Sequence, residues 1–206
     1  MSKTLMILAL AALAAGCETG FRGAGGGDGG QRDMDILRLR HIQQIAGLIE
    51  EYRQSTGHYP LARSGLVTQY VYIATDEQEK NIPPILSEKH VVTPCETLER
   101  ELSRVLKRNI RLPKDPQAVA TLRPNVYLYI TRGKDFWLAV HLHSPCSLSK
   151  PVAKYHHMVE VSSKPWPPSK VWSLDTLMTH PDFVKEVKRP LHNPDAFPEQ
   201  RELREN

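Results

Sequence analysis

Asp33 to Pro60 reads DMDILRLRHIQQIAGLIEEYRQSTGHYP, and the spacing of its apolar residues governs how the rest of the chain folds. Ile36, Leu39, Ile42, Ile45, Ala46, Ile49 and Tyr52 recur at intervals of three and four, which gathers them onto one stripe of an α-helix. Asp33 and Asp35 at its start and Arg53 near its end agree with the helix dipole. Gly57 stops the helix, and His58-Tyr59-Pro60 turns the chain away. A helix with a single apolar stripe needs another apolar face to cover it.

That face is sought in two alternating segments. In Val126 to Thr131, Val126, Leu128 and Ile130 share one side and Tyr127, Tyr129 and Thr131 the other. From Phe136 to His143, Phe136, Leu138, Val140 and Leu142 oppose Trp137, Ala139, His141 and His143. Arg132 to Asp135 is a short turn containing Gly133, so the two segments form an antiparallel hairpin. The wholly aliphatic face is expected on the helix stripe at Ile42, Ile45 and Ile49. Tyr127, Tyr129, Trp137, His141 and His143 are then left facing solvent, a partner or the C-terminal segment. Aromatic residues of this kind are enriched at interface cores. Tyr155, His157, Val159 and Val161 alternate and add a further strand. The expected fold class is therefore α+β, an N-terminal helix packed on a small antiparallel sheet, spanning residues 33–163.

Residues 164–190 extend this domain. Lys164-Pro165-Trp166-Pro167-Pro168 is a stiff loop in which Trp166 packs against the domain. Ser173 to Lys188 reads as a helix interrupted near Pro181, with Trp172, Leu177, Phe183 and Val187 as its apolar contacts. Residues 191–206, rich in proline and charge, form a mobile tail.

The N-terminus carries a different kind of signal. Lys3 precedes an apolar run from Leu5 to Ala15, far short of the roughly 20 residues needed to cross a bilayer. Leu13-Ala14-Ala15-Gly16-Cys17 resembles the lipobox of bacterial lipoproteins. The resemblance implies that residues 1–16 are a cleaved signal peptide and that Cys17 becomes a triacylated, palmitate-bearing N-terminus. Glu18 resembles the outer-membrane sorting pattern, which places the protein on that membrane facing the periplasm. The alternative is an ordinary secretory signal with a stray cysteine. Seven of the 12 glycines fall between Gly20 and Gly30, so residues 17–32 read as a lipidated tether reaching about 20 Å.

A second resemblance concerns the folded part. Ile42 to Pro60 is similar to the end of the long helix in type IV pilins and type II secretion pseudopilins, which leads through a Tyr and polar residues into Gly-x-Tyr-Pro. Leu98 to Leu106 then gives an amphipathic helix, and Leu112-Pro113-Lys114-Asp115-Pro116 resembles the pseudopilin LPxDP element. Val126 to Ile130 with Gly133 and Phe136-Trp137-Leu138 resembles the family's hairpin. Together they imply a pilin-like head over residues 33 to about 145. Pilins begin with a hydrophobic half-helix that packs subunits into a fibre, whereas a lipid and a tether stand in that place here.

Composition narrows the function. Twenty-seven Lys and Arg against 23 Asp and Glu give a net charge of +4 with no basic stripe, which argues against nucleic acid as a partner. Cys17 takes the lipid, and Cys95 and Cys146 remain as a pair for a disulfide in an oxidising envelope, the alternative being two free buried cysteines. His141 and His143 share a strand face and His156-His157 lies nearby, yet no HExxH or clustered carboxylate accompanies them, so no metal or other cofactor is expected. No G-x-S-x-G occurs, and Glu50-Glu51 and Glu99-Glu101 sit on solvated helix faces. The expectation is a lipid-anchored structural or adaptor component of a secretion or pilus-type machine, with other envelope proteins as partners and no enzyme activity. A ligand- or glycan-binding lipoprotein is the second reading and a metal-dependent hydrolase the third. Oligomeric state is not fixed by the sequence.

Overall fold

The computed structural model describes residues 28–62, 67–80, 82, 90–117, 126–153, 156–164 and 170–197. The expected signal peptide, Cys17, the expected tether up to residue 27, Tyr155, Trp166 and the tail from residue 198 lie outside the described residues.

Helix α1 spans Asp28–Thr56 and so begins inside the expected tether, five residues before Asp33. Glycine disfavours a helix by roughly 1 kcal/mol relative to alanine, so Gly29 and Gly30 need outside support. The ring of His192 supplies it, approaching so closely that a Cβ on Gly29 would stand 3.0 Å from its Cδ2. At the other end Gly57 takes φ +78°, and its N–H donates to the Arg53 carbonyl at 2.7 Å.

Seven strands follow: β1 (Thr68–Ile73), β2 (His90–Val92), β3 (Tyr127–Arg132), β4 (Asp135–Leu142), β5 (Lys150–Ala153), β6 (His156–Ser162) and β7 (Val171–Ser173). They form one sheet in the order β2-β1-β3-β4-β6-β5, with β7 also paired to β6. The β1/β2 and β6/β7 pairs are parallel and the others antiparallel. The fold is mixed α+β, and the sheet is larger than expected and not purely antiparallel. The difference comes from β1, a run of β-branched and aromatic residues, and from three-residue strands too short to show a period. Both edges are short: β2 exposes Val91 and Val92, and β5 carries Pro151 with a break in register before Ala153.

The remaining described helices are α2 (Asp76–Glu79), α3 (Cys95–Leu106), α4 (Leu174–Thr179) and α5 (Pro181–Lys188), with a 3₁₀ turn at Pro194–Ala196. His180 separates α4 from α5, and its Nδ1 accepts from the Asp182 N–H at 3.2 Å, which caps α5.

The main core joins the α1 stripe, Leu39, Ile42, Ile45, Ala46, Ile49 and Tyr52, to one sheet face and to Leu98, Leu102, Leu177 and Phe183 of the other helices. On that face stand Val71, Ile73, Tyr127, Tyr129, Leu138, Val140, Val159 and Val161. A second cluster on the opposite face holds Tyr70, Tyr72, Val126, Leu128, Ile130, Ala139 and Met158, with Trp137 against it.

This corrects the expected facing of the hairpin. Arg132 lies opposite Asp135, Tyr129 opposite Leu138 and Ile130 opposite Trp137, because the turn holds two residues. Directly paired residues share a face, so an even position on β3 goes with an odd one on β4. Tyr127 and Tyr129 therefore pack beneath α1, while Val126, Leu128 and Ile130 join Trp137 on the other side. The first part of the tail is also docked. Leu191 is buried against Ile36 and Leu37, and Phe197 packs on them.

Candidate functional site

The densest polar arrangement is at the start of α1. Arg38, Asp35, Asp115 and His41 are all buried, and each has partners. Arg38 donates from Nη1 to Asp35 Oδ1 at 3.0 Å, from Nε to Asp115 Oδ2 at 2.8 Å and from Nη2 to Asp115 Oδ1 at 2.9 Å. Burial works against this guanidinium's charge, but the Asp115 hydrogen bond and the two carboxylates hold its pKa above the usual value. Asp35 accepts from the N–H groups of His143 and Ser144, each at 2.8 Å. His41 Nδ1 meets the Tyr127 hydroxyl at 2.8 Å, and burial pushes the His41 pKa down to about 4. Every carboxylate oxygen here faces donors, so the cluster ties α1, the Leu112–Pro116 element and the end of β4 together rather than presenting a reactive group.

His143 belongs to this cluster and not to an open face, since its Nε2 lies 3.2 Å from Gln117 Oε1. His141 sits opposite Met158 on the second face of the sheet, whereas His157 sits opposite Leu142 on the α1 side. The structure thus puts His141 and His157 on opposite faces of the sheet and His143 in the α1 cluster. Among the described residues no group of three His, Cys, Asp or Glu is arranged to hold a metal ion.

The expected Cys95–Cys146 bridge is not formed; both cysteines are free. Cys95 is buried at the start of α3, where Lys114 Nζ donates to its Sγ at 2.7 Å and to Glu99 Oε1 at 3.1 Å. Burial pushes the Cys95 thiol up to about 11 despite Lys114, which keeps it protonated and unreactive. Cys146 instead lines a cavity of about 350 Å³ between the start of α1 and Glu186 of α5. Pairing by elimination ignored which elements the two thiols sit on.

The second face of the sheet retains two members of the expected aromatic surface, Trp137 and His141, and adds Tyr70 and Tyr72 from β1. Ala139, between Trp137 and His141 on β4, pairs with Leu128 on one side and Glu160 on the other. Glu160 is buried and ion-paired with Lys150; burial raises its pKa, while Lys150 and Trp137 oppose the rise. The Tyr72 hydroxyl and His90 Nδ1 are buried with no hydrogen-bond partner among the described residues. Sequence reading missed Tyr70 and Tyr72 because β1 was not recognised, and Glu160 because an acidic residue in an alternating strand reads as solvent-facing. It also missed Arg38 and His41, whose signal was a charge and an imidazole within the repeat of an apolar stripe.

No protein-family model, curated protein or solved structure matches the chain.

Proposed function

We propose that this chain is a lipid-anchored envelope protein holding a pilin-like α+β head at the membrane, as a structural or adaptor component of a secretion or pilus-type machine. One observation carries the reading: the separate segments that resemble the pilin family form one physical unit. Asp115 of the Leu112–Pro116 element holds Arg38 of α1 through two hydrogen bonds. The Tyr129 hydroxyl of the hairpin donates to the Pro60 carbonyl of the Gly-His-Tyr-Pro turn at 2.8 Å, and the Tyr59 ring stands 4.6 Å from that of Phe136. The polar clusters brace elements and leave surfaces, not reactive groups, to do the work. No helix among the described residues is long and apolar enough to cross a membrane. In this reading the acyl chains on Cys17 make the attachment.

Cys17→Ser tests the anchor. The substitution should move the protein out of the detergent-requiring membrane fraction and abolish an acyl mass on residue 17. Unchanged attachment with no acyl mass in the parent would overturn the lipoprotein reading. Affinity capture from native membranes should then recover envelope machine components in proportion to the bait.

The second reading, a ligand- or glycan-binding lipoprotein, is favoured by the buried Tyr72 hydroxyl, which has no hydrogen-bond partner among the described residues and stands on the sheet face that carries Trp137. Quenching of tryptophan emission by envelope glycans, lost in Trp137→Ala, would select it over the adaptor reading.

A further inference from the structure

Helix ends ordinarily fray, because their last hydrogen bonds are few and solvated. The N-terminal end of α1 is built the other way. Within eight residues, four charged side chains each make two hydrogen bonds to groups elsewhere in the chain. Asp33 accepts from the N–H groups of His192 at 2.8 Å and Asn193 at 2.7 Å. Asp35 accepts from His143 and Ser144, and Arg38 donates twice to Asp115. Arg40 donates to the carbonyls of Val187 at 2.9 Å and Arg189 at 2.6 Å, the exposed C-terminal end of α5.

Asp33, Asp35 and Arg38 are buried, although burying a charge is costly and an apolar pair would fill the same space without that desolvation. What charged groups add is direction: each bond fixes the helix against one particular segment. The three anchored segments, 115, 143–144 and 187–193, come from different parts of the sequence, and Leu191 closes over Ile36 and Leu37 between them. The distal end of α1 has no comparable set. There Glu51 pairs with Arg108 at the exposed surface, and Tyr52 donates to Glu101 at 2.6 Å.

We propose that the Asp33–Arg40 segment of α1 is a load-bearing joint that keeps the helix seated when the chain is pulled through its N-terminal glycine run. The source of the pull rests on the anchor reading above; the joint itself does not. Tension entering at residue 28 would peel α1 from its first turn, so the bonds made from Asp33 through Arg40 bear the load in sequence. Bonds to three segments distribute it over the sheet, α5 and the Leu112–Pro116 element. The C-terminal strap at 187–193 is then the part of the joint nearest the tether, and the strap and the tether meet at one pole of the head.

Hydrogen exchange on the full chain, both acylated in detergent and as Cys17→Ser, reads the joint directly. Amides 34–40 should exchange about as slowly as amides 42–49 in both forms. Asp33→Ala combined with Arg40→Ala should speed exchange at 34–40 by about tenfold or more while β3 and β4 amides are unchanged. Single-molecule pulling from the N-terminus should show the same variant releasing α1 at lower force. The joint is refuted if amides 34–40 of the parent already exchange about a hundredfold faster than 42–49, or if the double variant leaves them as they were. Should the double variant not fold, Asp33→Asn, which keeps one acceptor oxygen, is expected to give an intermediate effect confined to 34–40, and no effect there counts against the joint. Loss of acylation with normal exchange would remove the anchor and leave the joint standing.

Discussion

Arg38 of α1 and Asp115, 77 residues later in the chain, face each other side by side with two parallel hydrogen bonds and almost no solvent contact. Removing one partner strands the other as a buried, uncompensated charge, which typically costs about 3–5 kcal/mol. Arg38→Met should lose stability of that order by urea denaturation. The double variant Arg38→Met with Asp115→Leu should recover part of the loss, so that the two single costs sum to more than the double. Strict additivity would show that the pair is not coupled.

Acid sensitivity should centre on His41. Its folded pKa is about 4, against an ordinary value of 6.5, because burial disfavours the imidazolium and nearby Arg38 adds to the effect against the pull of Asp115. Between those values the unfolded chain binds a proton that the folded chain refuses. Stability is therefore whole above about pH 6.5 and declines as pH falls toward 4, by at most about 3 kcal/mol from this group. Denaturation midpoints of the parent and His41→Gln, measured from pH 7 to 4.5, should diverge in slope across that window. Parallel curves would remove His41 from the account.

The two free thiols should be distinguishable by alkylation. Cys95 is buried with its pKa pushed up to about 11, whereas Cys146 is partly exposed in the cavity beside Leu142. Folded protein should be labelled at Cys146 first and at Cys95 only on unfolding, with no reductant required for either. Failure of unreduced, unfolded protein to label both would mean that a disulfide had formed.

Tyr129 and Trp137, on opposite faces of the sheet, should each cost moderate stability on substitution. Tyr129 is buried with its hydroxyl on the Pro60 carbonyl, so Tyr129→Phe strands that acceptor and should cost about 1–3 kcal/mol. Trp137 is only partly buried on the second face, so Trp137→Ala should fall below the 3–5 kcal/mol typical of a fully buried tryptophan. Thermal or urea unfolding of both variants orders them, and a larger loss for Trp137→Ala than that range would assign its face wholly to the interior.

The helix stripe was legible because seven apolar residues repeat on one period, and all seven are buried on α1. The hairpin was legible as a hairpin, and its facing could have been read from the turn alone: two residues between Arg132 and Asp135 pair odd positions with even ones, which puts Tyr129 and Leu138 together. Judging the faces by which was more aliphatic placed β4 correctly and turned β3 the wrong way round. The polar cluster was half legible, since Asp35 and Arg38 stand one helical turn apart, but nothing near Asp115 in the sequence points back across 77 residues. The Asp33 contacts to His192 and Asn193 were hidden for the same reason, because a carboxylate receiving backbone N–H groups leaves no mark on the residues that donate them.

The short margins of the sheet bear on crowding. At high local concentration a long straight strand left open at a sheet margin would recruit its neighbours into continuous ladders. One margin here ends in a three-residue strand and the other in a strand interrupted by a proline that has no N–H to offer. Crowded copies of this protein can therefore meet reversibly, without the irreversible fibril chemistry that a broader margin would invite.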